Sequence, residues 1–396
     1  MKYHWPLMGE IITENQRMDL AKFILSTTRY TQGPQVKEFE DQWSKWLGTK
    51  YSVFVTSGST ANYVLVAAIK ERYNLKDGDK VLVPANTWVT SISPIIQNNL
   101  TPIFYDISLD NFGPDEGSIE KIKQKHSEIK FAFVTHLLGL PANLNSIKKY
   151  YPEIIIGEDV CESHGTTVKD NKAGTLGAGS TFSFYFGHHM TTVEGGMVCT
   201  NDKELYNLIK IKRSHGLARE LPKEQFKSTQ EKYPTLHPQF IFLTDGYNFR
   251  NTELYAFLGQ LQLKDLDNSI KIRRQNYKQF REMLLNYLEL FHIPQEEGNS
   301  SFCLPFICKT AKLKEYLSNY LETKGYETRP IIAGNLLRQP FLREFENETI
   351  LKNSDIVHHN GLYIGNSQLI TQEHMNNLED DIEKAIKEYT TMHNNA

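Results

Sequence analysis

From residue 50 to about 200 the chain alternates between short, continuous apolar runs and segments with helical spacing, and this alternation limits the possible folds more than any other feature. "YSVFVTS" reads as a strand and "STANYVLVAAIKERY" as a helix. "DKVLVPA" is a strand, "WVTSISPIIQNN" a helix and "TPIFYDI" a strand; "KFAFVTHLL", "EIIIGED" and "TFSFYF" are further strands. Strands apolar at successive positions are buried on both faces, as in parallel sheets covered by helices on either side. The expectation is an α/β fold whose large domain has a mixed, mostly parallel sheet. Helices are expected over 202–213, 251–265 and 268–290. Beyond 291, "SFCLPFICK", the helical "AKLKEYLSNYLETKG", "YETRPII" and a helix near 373–390 predict a smaller C-terminal α/β domain. The expected division is therefore 1–290, including an N-terminal arm, and 291–396. Residues 218–245 have weak periodicity and carry Pro222, Pro234 and Pro238, so an ordered loop is expected there.

A chain of 396 residues accommodates such a pair of domains. A net charge of −3 provides no basic field, which argues against a nucleic-acid partner. No apolar run approaches the roughly 18–20 residues of a membrane span, and "MKYHWPLMGEIITENQ" lacks the apolar core of a signal peptide. The cysteines, Cys161, Cys199, Cys303 and Cys308, form no zinc spacing; reduced thiols in a cytoplasm are expected.

Three stretches carry chemistry. In "TSGSTAN" (56–62) a strand gives way to a helix through small residues. Gly58 permits close approach, and Ser57, Ser59 and Thr60 can cap free amides, as at a phosphate-binding helix start. An ordinary capped helix reads the same way. In "IIIGEDVCESHG" an apolar strand ends in Glu158 and Asp159, where carboxylates of an open α/β sheet face the ligand crevice. Asp159 can serve there as the partner of a protonated cofactor ring, or be a solvated loop acid. Trp88, just past the strand at 80–85, can stack on an aromatic ring or fill a lobe interface.

Taken together with "QGPQVKEFEDQWSKWLG", "GTLGAGSTFSF", "EGGMV", "RSHG", "GYNFRNTELYAFLGQLQL" and "RPII", these stretches resemble the DegT/DnrJ/EryC1/StrS family of sugar aminotransferases over nearly the whole chain. The resemblance implies the fold-type I, aspartate aminotransferase-like architecture of pyridoxal 5'-phosphate (PLP) enzymes. The family's cofactor-anchoring lysine lies five residues after the serine of Phe-Ser-Phe and six before the glutamate of Glu-Gly-Gly. Counting from Ser183 and from Glu194 gives the same position, and it holds His188. A histidine there resembles the family's sugar 3-dehydratases. It implies an enzyme that alternates between PLP and pyridoxamine 5'-phosphate (PMP). That enzyme would remove the C3 hydroxyl of a nucleotide-linked 4-keto-6-deoxy sugar, with GDP the preferred nucleotide and L-glutamate regenerating PMP.

The resemblance further implies His188 as the catalytic base. Gly58, Ser59 and Ser183 would hold the phosphate, Asp159 and Trp88 the ring, and Glu162 the region of the ring hydroxyl. Asn248 would reach the phosphate of the partner subunit in a homodimer. His215 would touch substrate or orient His188, and Arg219 and Arg329 are candidates for the diphosphate or the glutamate carboxylate. His189 is read as a neighbour without chemistry. A second type of 3-dehydratase carries an iron–sulfur cluster, but cysteines spaced 38, 104 and 5 apart form no cluster motif, so no metal is expected. Two alternatives stay open: an atypical aminotransferase using histidine as base, and a PLP-fold binding protein without turnover. Retention of Asp159, Trp88, Ser183 and Glu-Gly-Gly argues against the second.

Overall fold

The computed structural model describes residues 3–345 and 351–394. The first sheet begins with β1 (Tyr51–Val55), β2 (Lys80–Pro84), β3 (Thr101–Tyr105), β4 (Phe131–Thr135) and β5 (Ile155–Asp159). A short hairpin, β6 (Thr167–Val168) and β7 (Asn171–Lys172), intervenes before β8 (Gly179–Ser183) and β9 (Gly196–Thr200) complete the sheet. Its order is β1-β9-β8-β5-β4-β2-β3. The run from β8 to β3 is parallel, whereas β9 pairs antiparallel with both β1 and β8. Side chains alternate between two cores. Val81, Val83, Phe131 and Phe133 pack on one face, Leu82, Ala132 and Val134 on the other. Burial on both faces is why these strands read as unbroken apolar runs.

Strand order reverses between β2 and β4, and a crevice opens outside the carboxyl ends of strands at such a point. The segments leaving β2, β4, β5 and β8 all end there. A second, antiparallel sheet faces it: β10 (Phe291–His292), β11 (Cys303–Cys308), β12 (Thr328–Arg329) and β13 (Gly361–Gly365), in the order β10-β11-β13-β12. Helices Leu266–Leu284, Ala311–Thr323 and Gln372–Asn394 share a core with this sheet through Tyr277, Leu317 and Leu378. Trp5 belongs to the same core, and its indole N–H donates to the Gly365 carbonyl at 2.9 Å. The start of the chain thus packs on the sheet made by its end.

Local differences from the sequence reading have physical causes. The 218–245 stretch is not simply a loop: it carries the helix Lys223–Lys232, none of whose residues is buried, so no apolar stripe announces it. "WVTSISPIIQNN" divides into a 3-10 turn, Val89–Ser91, and a short helix, Ser93–Gln97. The strand expected at "YETRPII" keeps only Thr328–Arg329, because Pro330 has no N–H to continue the ladder.

A buried ion pair fastens two helices to β1. Glu40 of helix Pro34–Leu47 accepts from the Phe54 amide at 2.9 Å and from Arg213 Nη1 at 2.8 Å. Arg213 ends helix Lys203–Arg213 and also donates to the Phe54 carbonyl at 3.1 Å. Removing Glu40 leaves the buried Arg213 with its longer contact to Glu220, at 3.7 Å, as carboxylate neighbour. Glu40→Ala is expected to cost about 3–5 kcal/mol in urea unfolding, with Glu40→Gln costing less because the Phe54 bond survives.

Candidate active site

The crevice is a cavity of ≈ 560 Å³ between the carboxyl edge of the first sheet and the second sheet. At one end the helix Gly58–Arg72 begins. Ser57 caps it reciprocally with Thr60: Ser57 Oγ accepts from the Thr60 amide at 3.1 Å, and the Ser57 amide donates to Thr60 Oγ1 at 2.9 Å. The amides of Gly58 and Ser59 open this helix, with no preceding turn to receive them, and they favour an anion. A Cβ at Gly58 would lie 2.6 Å from Ser183 Cβ and 2.9 Å from Cys161 Sγ, so only glycine admits β8 this closely. Ser183 ends β8 and lines the same corner.

Asp159 ends β5 at the middle of the cavity and is 3% exposed. Its Oδ2 accepts from Asn62 Nδ2 at 2.8 Å and Ser91 Oγ at 2.7 Å, and its Oδ1 from the Cys161 amide at 3.1 Å. These donors fix the carboxylate as an oriented acceptor. Glu158 turns the other way, as the pleat requires. It accepts from the amides of Gly174, Leu176 and Gly177 and contacts His136 Nε2 at 3.1 Å, a wholly structural assignment. Glu162 lines the cavity and accepts from the Leu138 amide at 3.2 Å. Burial, with Asp159 close by, raises its carboxyl to about 7. The Trp88 indole is 55% exposed at the cavity wall, available as a flat surface rather than spent in a core.

His188 follows the turn closed by its amide on the Tyr185 carbonyl at 3.0 Å. Its ring lines the cavity, edge-on to Phe302 with centroids 5.2 Å apart. Nδ1 is buried without a hydrogen bond, so Nε2 is the nitrogen left for proton exchange. Burial, followed by the Arg273 charge, pushes this imidazole down to about 3. His189 points into the protein, where its Nε2 donates to the Ser300 carbonyl at 3.1 Å. That bond fixes its tautomer. His164 packs beneath both rings, at centroid distances of 6.2 Å from His188 and 5.3 Å from His189. Burial holds His164 and His189 well below the usual imidazole range.

Arg329 reaches the rim from β12. The cavity therefore gathers Gly58, Ser59, Trp88, Asp159, Glu162, Ser183, His188 and Arg329. It does not gather His215, Arg219 or Asn248. His215 and Arg219 therefore do not line their own chain's cavity, and Asn248, expected at the partner subunit's cofactor, is not expected to. Residues 214–217 pair with 242–248 in an irregular ladder, with bridges Ser214–Asn248 and Leu217–Phe242, and the three side chains are exposed on it. His215 has a left-handed φ of 63°. The sequence reading missed Leu7, Met8, Phe302, Glu327 and Tyr363, which also line the cavity. They come from distant parts of the chain, and no local motif marks them.

A two-sheet α/β molecule with an anion-binding helix start and a buried acceptor carboxylate across one crevice has the architecture of the fold-type I PLP enzymes. The chain belongs to the DegT/DnrJ/EryC1/StrS aminotransferase family, whose model matches residues 11–383. It is 36% identical to the GDP-4-keto-6-deoxy-D-mannose 3-dehydratase of Escherichia coli O55:H7, covering 87% of this chain and 91% of that protein. The Yersinia pseudotuberculosis protein of the same name is 34% identical, with 96% and 98% covered. The solved E. coli GDP-4-keto-6-deoxy-D-mannose-3-dehydratase with bound hydrated PLP superimposes with a TM-score of 0.87 at 32% identity, over 96% of this chain and 100% of that one.

The three buried imidazoles make acid stability a test of the site. Each is neutral when folded, and each takes a proton near pH 6.5, about the ordinary value, when unfolded. Below that pH the unfolded imidazoles bind more protons, so their contribution is full above about pH 6.5 and falls as the pH drops toward about 3, outweighing the opposite effect of the raised Glu162 carboxyl. Urea midpoints of the cofactor-free protein should decline steadily from about pH 6.5 to 5, and NMR should find His188 unprotonated throughout that window.

Proposed function

We propose that this chain is a PLP/PMP-dependent 3-dehydratase. It removes the C3 hydroxyl of a GDP-linked 4-keto-6-deoxy sugar to give a 4-keto-3,6-dideoxy sugar, and L-glutamate regenerates PMP. The observation that carries this reading is a neutral, cavity-facing His188, with no lysine lining the cavity among the described residues. Without an amine, the chain offers no covalent anchor, and the cofactor must be held by its polar groups.

The residues present fit that demand. The Gly58 and Ser59 amides and the Ser183 hydroxyl would take the phosphate, and the Asp159 carboxylate would accept from a protonated ring nitrogen. Trp88 would cover the ring, and Glu162 would meet the region of the ring hydroxyl. When bound, the cofactor supplies an electron sink beside its amine-bearing carbon. His188 would take a proton at that carbon and, as imidazolium, would return one to the departing C3 hydroxyl, which leaves as water. An imidazole held far below neutrality stays unprotonated until it has drawn that proton. Arg329 is assigned to the donor carboxylate.

The reading includes a homodimer. Phe240 and Phe242, 60% and 58% exposed, lie on the face that carries His215, Arg219 and Asn248. A second copy covering it would bury the aromatics and bring these polar side chains toward its own cavity. Asn248→Ala should then lower cofactor retention with little change in the urea midpoint, and gel filtration should give a dimer.

The function is tested by incubation with glutamate and GDP-4-keto-6-deoxy sugars, followed by mass spectrometry. Loss of the C3 oxygen with release of ammonia is expected; an amino sugar product would favour the aminotransferase alternative. Borohydride treatment and denaturation should leave no phosphopyridoxyl group on the chain. His188→Asn should keep the fold and lose dehydration by about 10²–10⁴. His189→Asn should cost stability more than turnover, because its ring only anchors the Ser300 carbonyl.

A further inference from the structure

The first described residues of the chain run as a strap along the approach to β12. The amides of His4 and Trp5 donate to the Gly325 carbonyl at 3.1 and 3.2 Å, and the Glu327 amide returns a bond to the Trp5 carbonyl at 2.9 Å. Trp5 and Tyr326 form a parallel bridge. At Leu7 the backbone pairing stops, and Leu7 and Met8 become wall residues of the catalytic cavity. The strap lies close against the two glycines it passes. A Cβ at Gly365 would sit 2.6 Å from the Pro6 carbonyl oxygen, and one at Gly187, beside His188, would collide with the Met8 sulfur.

One side chain takes over where the backbone pairing ends. Glu327 Oε2 accepts from the Leu7 amide at 3.0 Å, and Glu327 Oε1 accepts from Arg329 Nη2 at 2.7 Å. Arg329 Nη1 donates to the Thr328 carbonyl at 3.0 Å, which leaves the other guanidinium N–H groups for a ligand. The Arg329 side chain is 49% exposed and that of Glu327 only 16%. An exposed pair of this kind contributes little by charge alone. The value of the contact lies in geometry: a largely buried carboxylate holds a long, half-exposed side chain in one orientation and the cavity wall in place with its other oxygen. A side chain already ordered loses less freedom when ligand arrives.

We propose that Glu327 is a positioning residue that couples the two. It presents Arg329 to the carboxylate of the amino donor and clamps the Leu7–Met8 strap across the cavity beside His188. The donor half of this statement rests on the function proposed above; the clamp does not.

Hydrogen exchange of the cofactor-free protein, read by mass spectrometry on peptides covering residues 3–9, tests the clamp. Glu327→Ala removes both contacts and should speed exchange of the strap by about tenfold or more, the loss expected for hydrogen bonds to a charged acceptor. Glu327→Gln has one acceptor oxygen where two are needed, so it should fall between Glu327→Ala and the parent. An unchanged strap in both variants, with thermal melts showing folded protein, overturns the clamp. The donor role is read from the glutamate half-reaction: KM for glutamate should rise about tenfold in Glu327→Ala, with kcat within about threefold. A faster strap with an unaltered glutamate KM overturns the coupling. If the parent protein does not use glutamate, the function above fails and the donor role fails with it, while the exchange result still decides the clamp.

Discussion

The guanidinium of Arg273 joins the parts from which the active site is made. It sits on helix Leu266–Leu284, is 2% exposed, and has no carboxylate partner among the described residues. Its neutralisation is left to backbone carbonyls. Nη1 donates to Phe302 at 3.0 Å and Asn366 at 2.5 Å, both beside the second sheet, and Nη2 to His188 at 3.4 Å, on the loop leaving the first. Asn366 answers by donating to the Arg273 carbonyl at 3.0 Å. Burial lowers this arginine to about 10, which leaves it charged at neutral pH. One buried cation thus fixes the cavity walls relative to each other and adds to burial, the larger cause, in keeping the neighbouring imidazoles uncharged.

The electrostatics follow from this placement. A helix start provides positive potential at one end of the cavity, and Asp159 a fixed negative acceptor near the middle. His188, lining the same cavity, is held as a free base by burial and by Arg273. The division of labour between Glu158 and Asp159 is set by the pleat alone. Adjacent residues on β5 face opposite ways, so one carboxylate ties down the 174–177 loop and the other faces the cavity. The same logic separates His188 from His189, here through a turn rather than a strand: one ring faces the cavity and the other anchors on Ser300.

Much of this was legible locally. Helix caps, strand-end carboxylates and the histidine at the lysine's place lie within short motifs, because strand–turn–helix units bring each motif to the carboxyl edge by themselves. Glu162 was found only as a position near the cofactor; its elevated carboxyl depends on packing around it. His215 and Arg219 were expected at the substrate with no subunit specified, whereas Asn248 was expected at the partner subunit's phosphate. The ladder that exposes them gives the answer for a single chain. The helix Lys223–Lys232 went unseen because a helix polar on all sides carries no periodic signal.

The sequence by itself determined the α/β class, the parallel strands and the capped helix start after Ser57, while the reading of His188 as standing in a lysine's place came from the family resemblance. These depend on residue type and on spacing within one or two elements. Tertiary structure alone decided that Leu7, Met8 and Phe302, separated from His188 by more than a hundred positions, form the other wall. It decided as well that Glu327 grips both Leu7 and Arg329, and that Arg273, held by backbone carbonyls, lies behind His188. Contacts between segments so far apart are chosen by how two sheets close on one another, and no pattern within either segment records that choice.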